Sequence, residues 1–334
     1  MKNIFCFLTF CICLLSLATS PAYANEDEDE DVLSNEEIEQ LNIPDLSTEE
    51  KSEEQLDNEP EGKQLKQAIE RQQTIEKKAA KLPFVLLPHR PNYFMPLSYM
   101  RQPDDTFYKE LVGEQWPGFS QFEAIFQLSV KYQIGRIDPD DTHRIYLAYT
   151  GKSYWQIYNS DISRPFRETN HEPEIILQTQ PDWGYINRFD IKFNHQSNGQ
   201  VQGLSRSWNR IILGFYKADG DSIYGLEPWW RIPETDKADP SDPRDNDNPN
   251  MYKYYGYGNF LWYRKEGHHS LLFRMGNNLD LSDNKGWTEI EWTFPISTRV
   301  RGFIQFYEGY GHSLIEYDQY QRRIGFGLKV SDYL

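Results

Sequence analysis

Two short segments hold residue types that together perform acyl-transfer chemistry. The first, Tyr185 to Gln200 (YINRFDIKFNHQSNGQ), carries His195 and Ser197 two residues apart. The second, Ser205 to Phe215 (SRSWNRIILGF), carries Asn209. A serine hydroxyl is a weak nucleophile until a base takes its proton, and a third group must hold that base in one tautomer and orientation. Ser197, His195 and Asn209 are the residue types for these three roles, with asparagine acting through its amide oxygen as it does in cysteine proteases. Period-two alternation puts Phe189, Ile191 and Phe193 on one face, continued by His195 and Ser197. Asp190, Lys192 and Asn194 fall on the other. A hairpin centred near residue 202 pairs 195 with 209 and 197 with 207, which predicts that all three groups meet on one face. An uncharged orienting group also suits a site beside lipid, where a carboxylate would be costly. The residues alone leave a second reading open, in which His195 and Ser197 are polar loop-edge residues and Asn209 caps a turn.

Strands must position these groups, and the rest of the chain reads as strands. Phe122, Ala124, Phe126, Leu128, Val130, Tyr132 and Ile134 alternate with mostly polar neighbours. So do Ile290, Trp292, Phe294 and Ile296, and near the C-terminus Ile324, Phe326, Leu328 and Val330 alternate with charged residues and glycine. A soluble sandwich gives the same alternation. Three features point instead to a transmembrane β-barrel. The strands match the roughly 9–11 residues of a tilted membrane strand. Aromatics crowd predicted strand ends (Tyr252, Tyr254, Tyr255, Tyr257, Trp262 and Tyr263), as interfacial girdles do. The chain also carries an export leader and ends on a strand. Twelve antiparallel strands are predicted near residues 92–100, 120–134, 143–158, 172–181, 184–197, 207–217, 222–232, 251–264, 268–277, 286–296, 299–307 and 322–331. Short connections follow the even strands and longer ones the odd strands, the asymmetry of periplasmic turns and extracellular loops.

The N-terminal region reads differently. Lys2, the apolar run Ile4 to Leu17 and Ala22-Tyr23-Ala24 predict a signal peptide over residues 1–24. All three cysteines (Cys6, Cys11 and Cys13) lie in it without a lipobox, so the mature chain has neither disulfide nor thiol nucleophile. The formal charge of −16 belongs to one stretch. Asn25 to Gly62 carries seventeen acidic residues against a single lysine and no aromatic residue, so it is predicted to be disordered. The remainder is near neutral and offers no basic footprint for nucleic acid. Lys63 to Leu82 can form a short helix with Leu65, Ile69, Ile75 and Leu82 loosely on one side, a solvated spacer in the simplest reading. The expected organisation is a leader (1–24), an acidic extension (25–83) and a barrel (84–334).

The paired segments NHQSNG (Asn194 to Gly199) and SRSWNR (Ser205 to Arg210) form a specific signature. Together with SYWQIYNSDISRPFRETNHEP (Ser153 to Pro173) and the C-terminal YGYG and LIEYDQYQRRIGFG, this signature resembles the outer membrane phospholipase A (OMPLA) family. The resemblance runs from about Phe84 to the end. It implies a twelve-stranded barrel of the bacterial outer membrane. It also implies calcium-dependent hydrolysis of phospholipid acyl esters at both glycerol positions, phospholipase A1 and A2 activity, and a calcium-favoured homodimer. Carried over, Ser197 is the nucleophile, His195 the base and Asn209 the orienting group. The Gly199 backbone N–H contributes to the oxyanion hole. Ca2+ is held by the Gln200 carbonyl, the Ser205 hydroxyl and, across the dimer, Ser163. Three departures stand out. Gln202 replaces an aspartate, which argues against an additional calcium site. Gly151 falls where family dimers can carry a glutamine, and the chain ends on Leu334, after Tyr333, rather than on phenylalanine.

Other motifs are weaker. Gly220-Asp221-Ser222-Ile223 resembles the serine block of GDSL-type esterases, but it sits between two alternating strands, where Gly-Asp is ordinary hairpin chemistry. No G-x-S-x-G elbow occurs. Asp236 to Asp247 is acidic but lacks EF-hand spacing. His268-His269 has no ligand partner in evident spacing. A different class of function, a passive pore or structural barrel, remains as the alternative. Arg188, Asp190, Lys192, Arg274, Glu289, Glu291 and Arg301 oppose an open pore, because on the lumenal parity they are predicted to build a hydrogen-bonded plug.

Overall fold

The computed structural model describes residues 63–332 except 80–81, 83, 104, 114, 139–141, 164, 182, 202, 236–247 and 298–299. The expected leader, the acidic stretch before residue 63, Gln202, the loop 236–247 and the terminal Tyr333 and Leu334 therefore lie outside the described residues. Twelve strands follow one another around a closed antiparallel barrel. They are β1 (Asn92–Met100), β2 (Phe122–Arg136), β3 (His143–Trp155) and β4 (Phe166–Thr179). Next come β5 (Arg188–Ser197), β6 (Ser207–Asp219), β7 (Ser222–Arg231) and β8 (Gly258–Glu266). The last four are β9 (His269–Asn277), β10 (Gly286–Pro295), β11 (Arg301–Gly309) and β12 (Gln321–Ser331). Each pairs with its sequence neighbours, and β12 pairs with β1 (Ile324 opposite Tyr99, Leu328 opposite Phe94), which removes every open edge. The fold class and strand number are those expected from the alternation.

The two parities face different media. Phe94, Leu97, Leu128, Ile191, Trp292 and Phe326 point outward and are substantially exposed, as a lipid-facing wall requires. The inward set is polar and buried. Arg167 bonds Glu123 at 2.9 Å and Glu316 at 2.7 Å, and Arg323 bonds the same Glu123. Arg90 bonds Glu172 at 2.6 Å, Lys192 bonds Glu227 at 2.6 Å, and Lys329 bonds Glu291. Of the residues expected in the lumen, Arg188 pairs with Asp190 at 2.6 Å, Arg274 with Glu289 at 3.3 Å, and Arg301 donates to the His268 carbonyl at 2.6 Å. Buried charges persist only when paired in this way. A cavity of about 360 Å3 remains among them.

The long connections gather at one end of the barrel and the short turns at the other. The β11–β12 connection (310–320) folds into the long-loop mouth. Leu314 and Ile315 are buried there, and their amides donate to Asn170 and Glu168 of β4.

Besides the earlier start of β4, at Phe166 rather than near 172, two elements depart from expectation. Helix α1 (Lys63–Ala79) forms where a short helix was expected, but it is not a solvated spacer. It crosses the short-turn end of the lumen. Leu65 is fully buried against Leu261, Tyr263 and Leu272 of β8 and β9, with Ile69 alongside. At its other end Glu76 accepts from Lys131 of β2 at 2.8 Å and lies 3.5 Å from Arg144 of β3. Ile75 remains exposed. A second short helix, α2 (Thr106–Val112), lies in the β1–β2 connection.

The second departure is the eighth strand, which starts at Gly258 rather than near 251. Tyr252–Tyr255 is instead a helical turn, α3, closed by Gly256 at φ 81°. A side chain at Gly256 would lie 2.1 Å from the Asn277 carbonyl, so the sequence needs glycine there. Tyr255 therefore packs inward on Trp208 (ring centroids 5.0 Å apart) instead of joining an outer girdle, and Tyr263 is buried in the lumen.

Candidate active site

β5 and β6 form a hairpin whose register is the expected one. His195 is opposite Asn209, and Ser197 is opposite Ser207. The intervening side chains point inward. Asn194 is fully buried and its carbonyl oxygen accepts from Arg210 at 2.8 Å, while Gln196 accepts from the Trp208 indole at 2.8 Å. By alternation His195, Ser197 and Asn209 take the parity opposite to the buried Asn194, Trp208 and Arg210, at the long-loop end of the hairpin.

His195 Nδ1 lies 2.8 Å from Asn209 Oδ1. An amide oxygen only accepts, so Nδ1 carries the hydrogen and the lone pair resides on Nε2. That is the tautomer a general base for serine needs. Asn209 Nδ2 donates in turn to Glu234 Oε1 at 2.8 Å. At the strand end the Gly199 N–H donates to Ser197 Oγ at 3.1 Å, so a backbone donor already converges on the hydroxyl. Gly199 adopts φ 63°, a left-handed conformation that favours glycine.

The following loop is pinned by Asn198, which is buried. Its side chain accepts from the Arg206 amide at 2.9 Å and the Gln200 amide at 3.3 Å and donates to the Leu204 carbonyl at 2.9 Å. Gln200 and Ser205, expected to supply calcium oxygens, are thus held on one closed loop beside Ser197. Among the described residues no group of three or more His, Cys, Asp or Glu is placed to hold a metal. The oxygens on offer here are a carbonyl and a hydroxyl, hard neutral donors that fit calcium completed by other oxygens. Ser163 lies apart, exposed in the β3–β4 connection (156–165) at φ 54°.

Sequence reasoning missed two neighbours. One is Glu234. The other is His171 of β4, directly opposite Ser197. One ladder row runs across the wall from Leu128 through Gly151 and His171 to Ser197 and Ser207. The Tyr149 hydroxyl lies 2.7 Å from His171 Nδ1 and 3.2 Å from where a Gly151 side chain would begin. A polar pair therefore occupies the space that glycine leaves at position 151. The NHEP sequence at 170–173 contained the signal, since His171 has outward parity on β4. The remaining motifs behave as ordinary structure. Ser222 follows a tight turn and accepts from the Trp262 indole at 3.2 Å, and His269 stacks on Trp292 at the short-turn end.

The family model described as Phospholipase A1 matches residues 69–330. The match begins within α1, earlier than the Phe84 start expected. The phospholipase A1 of Klebsiella pneumoniae is 31% identical over 258 residues, covering 75% of this chain and 84% of that protein. The Escherichia coli K12 phospholipase A1 is 31% identical over 257 residues, covering 75% and 83%. Among solved structures, outer membrane phospholipase A from E. coli superposes with a TM-score of 0.67 at 30% identity, covering 76% of this chain and 94% of that one. Another form of that protein carries an asparagine-to-alanine change in its active site. A Salmonella typhi outer membrane phospholipase, solved as a dimer with bound calcium, superposes with a TM-score of 0.67 at 30% identity, covering 75% and 94%.

Proposed function

The chain belongs to the phospholipase A1 family, and from that premise we propose that it is a calcium-dependent outer-membrane enzyme hydrolysing phospholipid acyl esters at the sn-1 and sn-2 positions. The observation that carries the reading is the 2.8 Å contact from His195 Nδ1 to Asn209 Oδ1, with Ser197 two residues along the same outward face. In this reading His195 Nε2 takes the Ser197 proton as Oγ attacks the ester carbonyl. The tetrahedral intermediate collapses when His195 returns the proton to the glycerol oxygen, leaving Ser197 acylated. Water, activated by the same base, then releases the fatty acid. Asn209 keeps the imidazole in the productive tautomer throughout.

The oxyanion develops beside the Gly199 N–H. A single backbone donor is a thin oxyanion hole, worth about 100- to 1000-fold where such donors have been removed in other enzymes. The Gln200 carbonyl and the Ser205 hydroxyl would hold calcium, together with Ser163 of the partner subunit in a homodimer. When bound, the ion supplies positive charge where the oxyanion forms. The outward face gives acyl chains access from the lipid phase without extraction through the barrel.

The test is fatty-acid release from defined phospholipids in detergent micelles, with the positional lysophospholipid products resolved. Turnover with calcium and suppression by chelator are expected, with the barrel still folded. Steady single-channel conductance with no hydrolysis would instead support the pore reading, and full activity in excess chelator would remove calcium from the account.

A further inference from the structure

Glu234 belongs to no motif and lies three residues past the end of β7, yet it is wired into the candidate triad. Its Oε1 accepts the Asn209 side-chain N–H at 2.8 Å. Its Oε2 lies 3.3 Å from Arg231 Nη2. Arg231 also donates to the Asn248 carbonyl at 2.7 Å, and Asn248 Nδ2 donates to the Ser207 carbonyl at 2.7 Å. The Ile232 amide donates to the Asn209 carbonyl at 2.8 Å, which carries the β6–β7 ladder one step beyond the strand and delivers Glu234 to Asn209. The carboxylate that meets the Asn209 side-chain amide is thus itself held by Arg231, which Asn248 ties back to β6.

We infer that Glu234 is a positioning residue that fixes the Asn209 amide and, through it, the tautomer of His195. An asparagine amide has a donor end and an acceptor end of nearly equal shape. Turned over, it would present N–H to His195 Nδ1, move the imidazole hydrogen to Nε2, and leave no lone pair to take the serine proton. An ionised carboxylate accepts only. Beside Glu234, Asn209 must turn Nδ2 toward the carboxylate and Oδ1 toward His195. The charge-assisted bond also stays one residue removed from the imidazole, so a full carboxylate is kept out of the group nearest the lipid. The inference rests on the Ser197–His195–Asn209 reading and deepens it.

The experiment measures kcat and KM in mixed micelles for Glu234→Ala and Glu234→Gln, each on the Asn209 and Asn209→Asp backgrounds, with Glu234→Ala also made in Asn209→Ala, and with Ser197→Ala and Asn209→Ala alone as references. On the wild-type background Glu234→Ala is expected to lower kcat by about tenfold or more with KM within about twofold, because orientation acts in the transition state. In Asn209→Ala the same change is expected to add little, since residues acting as a unit are not additive. Glu234→Gln is expected to be mild, as its amide oxygen still accepts. With Asn209→Asp two carboxylates face each other at hydrogen-bond distance, and Glu234→Gln is expected to raise activity by donating an amide N–H to the introduced carboxylate. That reversal of sign is something a merely structural role would not produce. Wild-type kcat in Glu234→Ala, or the same factor of loss from Glu234→Gln on both backgrounds, would overturn the inference. Should folded Ser197→Ala stay active, the catalytic reading fails and this inference with it. An inactive Ser197→Ala beside fully active Glu234 variants defeats this inference alone.

Discussion

Ser197 and Ser222 share a residue type but not a setting. Ser197 ends a strand beside an oriented histidine and a convergent backbone N–H, whereas Ser222 accepts a structural bond from Trp262. Ser197→Ala is expected to lower activity by several orders of magnitude with the barrel intact, and Asn209→Ala to lower it less, because asparagine orients and does not react. Ser222→Ala is expected to match wild type in the same fatty-acid assay. Equal losses at the two serines would refute the assignment. Gly199 is the sharper case. Its φ of 63° costs any other residue roughly 1–2 kcal/mol, and relieving that strain would disturb the turn that brings the Gly199 N–H to Ser197 Oγ. Gly199→Ala should cut kcat toward the ~100-fold loss of an oxyanion donor while KM changes little. A wild-type kcat would show that the hole is built elsewhere. The pairing of His195 with Asn209 and the shared parity of Ser197 were legible in the sequence because parity and hairpin register are local properties of residues 195–209. Glu234 was not, because its contact with Asn209 depends on how the chain leaves β7, and nothing in strand alternation reports that. A carboxylate just past the strand that pairs with Asn209 was the available signal.

Among the elements, the strands were readable and the helices were less so. Period-two alternation fixed twelve strands because each has a lipid face and a lumen face, and a slip of one residue would exchange them. It failed at 251–257, where alternating tyrosines mimic a strand but Gly256 forces a helical turn. It was also silent on how α1 docks, because its partners are split between β8 and β9 on one side of the barrel and β2 and β3 on the other. Burial alone would raise the Glu76 carboxyl, but the ammonium of Lys131 and the guanidiniums of Arg188 and Arg144 outweigh it and hold the group below the usual carboxylate range. A depressed value in the folded state stabilises docking above the ordinary carboxylate pKa, and that contribution disappears as pH falls through the depressed value. Protection of the amides of residues 63–79 against hydrogen exchange, taken relative to the intrinsic rate at each pH, is therefore expected to fall on acidification below pH ~4, the unperturbed carboxylate range. Glu76→Gln is expected to lower it already at neutral pH, with the barrel strands unchanged. Identical protection in wild type and Glu76→Gln would show that the ion pair does not hold the helix.

For the whole molecule, the outward position proposed for Ser197, His195 and Asn209 has consequences for assembly. A single barrel offers an acyl chain only a shallow wall, and a second barrel packed along the row from Leu128 to Ser197 would turn that wall into a cleft. The Tyr149–His171 pair places a hydroxyl where Gly151 has no side chain, so a polar contact remains available at the position where the resemblance allows a glutamine in family dimers. If Ser163 of the partner subunit completes the calcium shell, metal binding and dimerisation must strengthen each other, because linkage is reciprocal. Sedimentation in detergent should show calcium shifting monomer to dimer, with specific activity rising with protein concentration. Ser205→Ala should raise the calcium needed for both. A protein that stays monomeric with calcium and shows activity strictly proportional to concentration would contradict this gate.

The central claim is that Ser197 is the hydroxyl that becomes acylated. The most direct measurement is to treat the folded, calcium-loaded protein with a long-chain sulfonyl fluoride and map the adduct by mass spectrometry. A single adduct on Ser197, formed in step with loss of activity and absent from Ser197→Ala and from protein held in chelator, is the predicted result. Inactivation with the adduct on any other residue, or an unmodified Ser197 in fully inhibited enzyme, would contradict it.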